Sequence, residues 1–416
     1  MFSSAMKNGI GSFEPLQQSN FAIYLSGQTI SLIGTWLQIT AQGWLVWELS
    51  RSVAALGWVA ALAALPLLVL APFAGVIADR FNRRKLLIGT QSVAMLLAFV
   101  LALLVQTRLA QLWHIYMLAL ALGIVTALDL TATQAFIGDL AGMVLVRKSV
   151  TLYGIIFQVS RILGAALAGL VISALGIVWS FWLNGLSFLP VIASLMIVRA
   201  HQLQRPNQAN PLRDFATSLS FIRTESRLVD LLALAMLSAF FGLPVMSILA
   251  AFASGVLHGG PPELGWLLAA SGAGALLSVV FVVPLVNGAK QTGMAIALTA
   301  LWMGIWFFLT SQMTILPLAT LTVLLGSMGG PAVITAAMGL SQLMSPADMR
   351  ARIVSLFIMV GFGIQPIASL WIGYLAQWFG VSLAILLNGL CLCIGTAFIL
   401  LVRSELRVWS VAQRVE

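Results

Sequence analysis

Charged residues are scarce in this sequence: they make up 8% of its 416 residues, whereas a soluble domain carries about 25%. Hydrophobic residues make up 61%, so the polar residues are too few to cover a water-exposed surface. Runs of about 20 apolar residues recur along the whole chain, and each is long enough to cross a hydrocarbon core about 30 Å thick. Because backbone groups in lipid must pair within their own segment, these runs predict transmembrane helices in a lipid bilayer.

Cysteine and histidine are also scarce. Cys391 and Cys393 lie two residues apart in the last apolar run, where a helix points them to different faces and no disulfide can form. The histidines His114, His201 and His258 are scattered in or near loops, without a paired acid or a metal-ligand spacing. The sequence therefore predicts no metal site, no bound cofactor and no enzyme. The first twenty residues are mixed and polar, which predicts no signal peptide and a cytoplasmic N-terminus.

The apolar runs predict twelve spans and an all-α integral membrane protein. With the N-terminus inside, most of the 21 basic residues fall on the cytoplasmic side, whereas Arg51 and Arg108 lie outside and Arg161 lies within a span. This asymmetry accounts for the net charge of +9 and argues against a nucleic-acid partner. We therefore expect a multi-pass monomer of the cell inner membrane with both termini cytoplasmic. The spans are 21–48, 54–78, 86–106, 112–138, 149–174, 177–198, 228–254, 263–286, 292–310, 314–343, 351–376 and 381–402.

One long connection divides the chain into two six-helix bundles, 1–198 and 228–416, with a cytoplasmic linker at 199–227. Within the linker, 211–222 is either an interfacial helix on the inner leaflet or a plain solvated segment. The bundles share short motifs at a nearly constant offset: Leu56-Gly57-Trp58 with Leu264-Gly265-Trp266, and Gly169, Gly176 and Asn184-Gly185-Leu186 with Gly373, Gly380 and Asn388-Gly389-Leu390. Six helices per copy predict a parallel repeat with a binding site between the halves at mid-depth.

A cytoplasmic loop signature follows the second span, from Gly75 to Lys85, and contains Asp79, Arg80, Arg83 and Arg84. It resembles the loop 2–3 motif of the major facilitator superfamily, and the resemblance covers nearly the whole chain. The resemblance implies a gate in which Asp79 meets the N-terminus of span eleven and closes the cytoplasmic side. Asn82 stands where the motif has its second glycine, a tolerable change because Asn also accepts a positive φ. A simple basic stop-transfer loop is the alternative.

Span five carries small residues from Gly164 to Gly169, with Ala168 among them. Their spacing predicts close helix packing, and the segment resembles the antiporter motif of the superfamily with Ala165 in place of the usual proline. The segments 20–36 and 132–136 resemble the enterobactin-exporter-like, drug-efflux branch.

A polar stripe runs along span one: Gln28, Ser31, Thr35, Gln38 and Gln42 recur at helical spacing over roughly 21 Å. Because amides are costly in lipid, the stripe faces either a water-filled cavity or neighbouring helices. We expect it to line the cavity.

Two charges lie deep in the predicted spans, Asp129 in span four and Arg161 in span five. Their similar predicted depths make an ion pair feasible, with either a coupling or a structural role. No other carboxylate is expected to be buried, so Asp129 is the candidate proton carrier. Gln158 and Gln365 are further candidates, and Gln365 occupies the repeat position of Arg161.

These observations favour a secondary transporter that exports a small amphipathic molecule, such as a siderophore-like metabolite or a drug, in exchange for protons. An importer of the same fold, a non-transporting sensor and a membrane enzyme are the alternatives.

Overall fold

The computed structural model describes residues 14–198, 225–346 and 349–403, and the side chains within them except at 71–80, 143, 351, 352, 355 and 362. A short 3₁₀ helix, Glu14–Gln17, precedes twelve long helices in these ranges. The first six are α1 Ser19–Ser50, α2 Val53–Arg80, α3 Arg83–Gln106, α4 Leu112–Gly142, α5 Val144–Leu175 and α6 Ile177–Ile197. The others are α7 Ser226–Gly255, α8 Pro261–Asn287, α9 Thr292–Thr310, α10 Leu316–Met344, α11 Arg350–Gly363 with Gln365–Phe379, and α12 Val381–Val402.

These helices confirm the all-α membrane fold and match the predicted spans to within a few residues. By length and composition, eleven of the described helices could cross a membrane. The remaining long helix, α1, is 32 residues long but falls below the same apolarity because its amide and hydroxyl residues lower its hydropathy. The interfacial helix considered for 211–222 lies outside the described residues.

Within each of the described ranges the connections between helices are short, and glycines at positive φ make several of them. Gly142, at φ 70° and ψ 167°, separates α4 from α5. Gly176 and Gly380 take nearly the same conformation, φ 92° and 89°, at the α5–α6 and α11–α12 turns. A side chain at such a φ is strained, which explains why this pair of the repeat is glycine in both halves.

Asn82 does not take a positive φ. Its φ is −63°, and its side chain accepts a hydrogen bond from the Lys85 backbone N–H at 3.1 Å, so that it caps the N-terminus of α3. The residue therefore replaces the glycine of the motif as a helix cap and not as a left-handed turn.

The C-terminal helices are less regular than the N-terminal ones. α7 contains a π-helical turn at Ser238–Gly242 followed by a 3₁₀ segment at Leu243–Ile248, and α8 contains a π turn at Ser278–Val282. Pro244 and Pro366 lie at the start of helical segments, where a missing backbone N–H costs least. These segments interrupt the regular α-helical hydrogen bonding of the C-terminal half.

Three buried clusters form the core. One belongs to the first six helices, around Phe21 and Phe136, and one to the last six, around Leu228 and Phe357. The third takes side chains from both halves and lies at the end of the bundle away from the chain termini, which we call the far end; its members include Leu45, Val46, Phe181, Phe252 and Ile372. The apolar contact between the halves is therefore concentrated at the far end.

Two crossed helix contacts bring the halves together there. Gly57 of α2 lies against Gly373 of α11, so closely that a Cβ on Gly57 would be 2.5 Å from the Ser369 carbonyl oxygen. Gly265 of α8 lies against α5, where its Cβ would be 2.8 Å from the Ala165 carbonyl oxygen and 3.3 Å from the Gly169 Cα. The repeated glycines that the sequence pairs by offset thus meet across the molecule, each with a glycine of the other motif.

Candidate functional site

Arg161 joins the two halves near the middle of α5. Its Nη2 donates a hydrogen bond to the Ser271 hydroxyl of α8 at 2.6 Å. Its guanidinium also lies over the ring of Trp36 in α1, 5.0 Å from the centroid, which is cation–π geometry. We call Arg161, Trp36 and Ser271 the Arg161 bridge. It is the place where a deep charge touches both the N-terminal and the C-terminal helices.

Two glycines allow the bridge to form. A Cβ on Gly164 would be 2.6 Å from the Trp36 Cβ and 2.5 Å from the Ile33 carbonyl oxygen, so α1 and α5 touch at this point. Trp36 then packs edge-on against Phe157 at a centroid distance of 5.6 Å and reaches Arg161 one turn further. On the other side, a Cβ on Gly272 would be 3.3 Å from the Arg161 Cγ, so α8 also approaches the arginine stem.

Asp129 lies in a separate polar network within the N-terminal half. Its Oδ1 accepts hydrogen bonds from Thr90 Oγ1 at 2.6 Å and from Gln91 Nε2 at 3.0 Å, both on α3. The Ser31 hydroxyl of α1 donates in turn to Gln91 Oε1 at 3.5 Å. We call these four residues the Asp129 network. Both donors reach the same carboxylate oxygen, and neither of them carries a charge.

Aromatic hydroxyls surround this network. Tyr24 lies 3.4 Å from the Thr133 hydroxyl, and its ring packs edge-on against Phe136 at 5.2 Å. Tyr153 lies within the field of Asp129 and within hydrogen-bonding reach of the Gln28 side chain. The two segments that resemble the exporter branch, one in α1 and one in α4, therefore contact each other beside the carboxylate.

Asp129 and Arg161 do not form the ion pair that the sequence makes feasible; in the described residues each has other partners. The helix ends differ from the prediction, but they change the offset between the two charges by only about one residue. The charges are apart because each bonds to another helix, Asp129 to α3 and Arg161 to α8. The sequence places the inner ends at 138 and 149, but α4 and α5 reach Gly142 and Val144. Asp129 is then about thirteen residues from its end and Arg161 about seventeen, an offset of roughly 6 Å along the helices.

The polar stripe of α1 serves mostly as contact between helices. Gln38 accepts a hydrogen bond from the Asn184 amide of α6 at 2.7 Å, and the Gln28 and Gln42 side chains are also buried in the bundle. Thr35 is half-buried and its hydroxyl donates to the Ser31 carbonyl. Gln38 therefore contacts a neighbouring helix. Thr35 is the most exposed member of the stripe.

Gln158 and Gln365 are both half-buried. The Gln158 Oε1 is buried and has no hydrogen-bond partner in the described part of the chain. Gln158 lies three residues before Arg161 on α5, so the two side chains are neighbours on one helix face. Gln365 begins the second segment of α11, at the repeat position of Arg161.

Two arginines of the loop signature bind within the N-terminal half. Arg83 makes a two-pronged ion pair with Asp139 at the end of α4, with distances of 2.8 and 2.9 Å, and both side chains are buried. Arg84 donates to the carbonyls of Leu195 and Met196, the last turn of α6, where a cation is stabilised by the helix dipole. Gly75, Asp79 and Arg80 fall in the range 71–80, whose side chains are not described, so the predicted gate contact of Asp79 stays a prediction.

The small-residue segment of α5 has two partners. Gly164 contacts α1, Ala168 is fully buried, and Gly169 contacts the N-terminus of α8, where a Cβ would be 2.8 Å from the Pro262 Cα. The segment therefore packs α5 simultaneously against its own half and against the other half.

The expectation that no other carboxylate is buried is wrong. The side chains of Asp139 and Asp230 are 2% and 7% exposed, paired with Arg83 and Arg403 respectively. Both lie near helix ends, whereas the sequence singles out only charges at mid-span. Trp36 and Ser271 were also missed as partners of Arg161, because their contact depends on the approach of helices distant in sequence.

Twelve long helices in two sets of six, joined at one end and carrying two deep charges, define a transporter of the major facilitator superfamily. The chain matches the family described as transmembrane secretion effector over residues 10–415, and it belongs to that family. It is therefore a membrane transporter and not an enzyme.

Several characterised and uncharacterised proteins are similar in sequence. The chain is 30% identical over 267 residues to the uncharacterised MFS-type transporter YfiS of Bacillus subtilis, a match that spans 63% of each chain. It is 24% identical over 361 residues to the multidrug efflux pump Tap of Mycolicibacterium fortuitum, covering 84% of this chain and 87% of Tap. It is 26% identical over 151 residues to the staphyloferrin A transporter of Staphylococcus aureus, covering 36% and 38%.

Solved structures share the fold. The nucleoside transporter NupG superposes with a TM-score of 0.72 at 13% identity, covering 92% of this chain and 98% of that one. A bacterial homologue of the lysosomal transporter Spinster, in an inward-facing and unoccupied conformation, superposes with a TM-score of 0.70 at 15% identity, covering 95% and 99%.

Proposed function

We propose that this protein is a proton-linked exporter of a small amphipathic molecule that works by alternating access in the plasma membrane. The observation that carries the proposal is the position of the contacts between the halves. They are concentrated at the far end, in the pairs Gly57–Gly373 and Gly265–Gly169 and in the shared apolar cluster. Two bundles joined at one end can rock about that contact and expose a central site to either side in turn.

The orientation of the bundle follows from charge. The basic turns at Arg83–Lys85 and Arg147–Lys148 lie at the end that carries the chain termini, and this asymmetry supports a cytoplasmic location for that end. Closure at the far end then corresponds to a conformation in which the cytoplasmic side is the open one. An exporter would load its substrate in this conformation.

Asp129 is the proposed proton carrier. Asp139 and Asp230 are each paired with an arginine, whereas the recorded hydrogen bonds of Asp129 come from the neutral Thr90 and Gln91. A carboxylate held by neutral donors can accept a proton without leaving an unpaired buried cation behind. No cofactor is proposed apart from the proton gradient. The similarity to a staphyloferrin A transporter and to a multidrug pump supports a siderophore-like metabolite or a drug as cargo.

The direction and the energy source can be tested together. Cells lacking the protein are compared with wild-type cells by mass spectrometry, and the compound they retain is offered to everted membrane vesicles with an imposed pH gradient. We expect accumulation in the vesicle lumen when the lumen is acidic, and loss of that accumulation when nigericin collapses the gradient. Accumulation that is independent of the gradient, or that occurs only in right-side-out vesicles, would refute proton-linked export.

A further inference from the structure

The Arg161 bridge has more hydrogen-bond donors than acceptors. A guanidinium carries five N–H donors, and in the described part of the chain Arg161 uses one recorded hydrogen bond, to the Ser271 hydroxyl. The Nε1–H of Trp36, over whose ring Arg161 lies, is buried and has no partner among the described residues. Two donor groups on neighbouring side chains, the guanidinium and the indole N–H, therefore have spare hydrogen-bonding capacity in the described part of the chain.

The described residues provide no carboxylate for this cation. The deep carboxylate of Asp129 bonds to Thr90 and Gln91 and not to Arg161. A cation deep in a membrane protein is costly at mid-span unless it is paired. The bridge offers it one hydroxyl and the face of one indole, which compensate only partly. A negatively charged acceptor bound beside Arg161 would supply the missing partner of the guanidinium.

The surroundings define the rest of such a ligand. Trp36 and Phe157 form an edge-to-face aromatic pair beside the guanidinium. An acidic head would bind at Arg161 and the indole N–H, and a flat apolar body would lie against the two rings. A purely structural bridge would need neither the spare donors nor the aromatic wall.

We infer that the Arg161 bridge is a binding site for the carboxylate of an amphipathic, aromatic or otherwise flat anion. The inference rests on the proposed transport function and names the chemical class of its cargo. It also assigns Trp36 and Ser271 as binding residues, one from each half. An anion at this point contacts both bundles, so that its arrival can be sensed by the contact between them.

The test uses three probes with the same body and different charge: 2-naphthoate, 2-naphthalenemethanol and 2-naphthylmethylamine. Binding to the purified full-length protein in detergent is measured by isothermal titration. We expect 2-naphthoate to bind about tenfold or more tightly than the neutral alcohol, and the amine to bind most weakly, since a charge-assisted hydrogen bond is worth roughly that ratio.

Three variants locate the preference. Arg161→Gln places in α5 the residue that stands at the repeat position, Gln365, and should abolish the preference for the carboxylate. Arg161→Lys keeps the charge but loses the planar fork, and should retain a reduced preference. Arg51→Gln is the matched control: Arg51 also lies over a tryptophan, 5.8 Å from the Trp47 centroid, but at the far surface. It should bind all three probes as the wild type does.

The inference is overturned if the three probes bind the wild type equally, if 2-naphthoate fails to bind at millimolar concentration, or if Arg161→Gln retains the charge preference while remaining monodisperse. If the compound retained by deletion cells is still exported by the pH gradient in any of these cases, the proposed function survives and only the anion site falls. Charge-selective binding without gradient-driven transport would leave the anion site standing and refute the proposed function.

Discussion

The two deep charges of this transporter are held in different ways. Asp129 accepts from Thr90 and Gln91 on α3, and Ser31 of α1 bonds to Gln91 in turn. These residues all belong to the N-terminal half, so a rigid movement of one half against the other leaves the hydrogen bonds intact. Arg161 takes Trp36 from its own half and Ser271 from the other, so its hydrogen bond must break when the halves separate. In a rocking movement Asp129 would therefore change only its access to water, whereas the contacts of Arg161 would be broken and remade in each cycle.

The comparison also explains why these charges are not an ion pair. A permanent bridge would tie Asp129 to Arg161 and prevent either from responding to a proton or to a ligand. With about four residues of offset between them, each charge has its own partners. Coupling would then act through the movement of α5 and α1 and not through direct contact.

Asp129→Asn is expected to have the largest effect, because it removes the proposed carrier while an amide oxygen can still accept from Thr90. Gradient-driven export of the compound retained by deletion cells should fall to the background of empty vesicles, while binding of that compound persists. Export at half the wild-type rate or more would remove Asp129 from the coupling step.

Gly265→Leu should have the next largest effect on transport. A side chain at this position meets the Ala165 carbonyl, which pushes α8 away from α5 and disfavours far-end closure by about 1–3 kcal/mol. We expect transport to fall about tenfold or more, measured in the same vesicles. Gly89→Leu is the control, since no atom lies within 4 Å of a Cβ built at Gly89, and it should transport normally. Equal losses in both variants would point to a general folding defect.

Asp139→Asn should destabilise the N-terminal half without changing coupling. It leaves Arg83 buried without its carboxylate, at a cost of about 3 kcal/mol. Lys148→Gln breaks an ion pair with Glu14 whose side chains are 46% exposed, and it should cost at most about 1 kcal/mol. Thermal unfolding in detergent compares the two, and a larger loss in Lys148→Gln would contradict the assigned role of Arg83.

Thiol accessibility gives the smallest effect and resolves the polar stripe. With Cys391 and Cys393 replaced by Ala, Thr35→Cys should react with a water-soluble maleimide faster than Gln38→Cys, which is buried against Asn184. The reverse order of rates would restore Gln38 as a cavity residue.

The fold was predictable from the sequence because lipid imposes one solution on each apolar run. Length and apolarity locate a helix in lipid, and the predicted spans accordingly agree with the structure within a few residues. The repeated glycines could also be paired by offset, but the sequence could not show that Gly57 meets Gly373 and that Gly265 meets Gly169, since the crossing depends on how the halves pack.

The site was predictable only in part. Asp129 and Arg161 stand out because a charge in an apolar run is costly. Their partners could not be predicted, because the contacts of Asp129 with α3 and of Arg161 with α8 depend on how helices distant in sequence pack. Asp139 was missed because it lies near the end of α4, where a charge gives no signal in hydropathy. Its partner Arg83 lies at the first residue of α3.

The most direct test of alternating access is a pair of distances measured by double electron–electron resonance, one at each end of the molecule. Spin labels at Arg108 and Gln312 report the far end, and labels at Lys85 and Gln291 report the end that carries the termini. Gly265→Leu should lengthen the first distance and shorten the second, without any ligand. If both distances stay unchanged, or if both lengthen together, the halves do not rock about the contact at the far end.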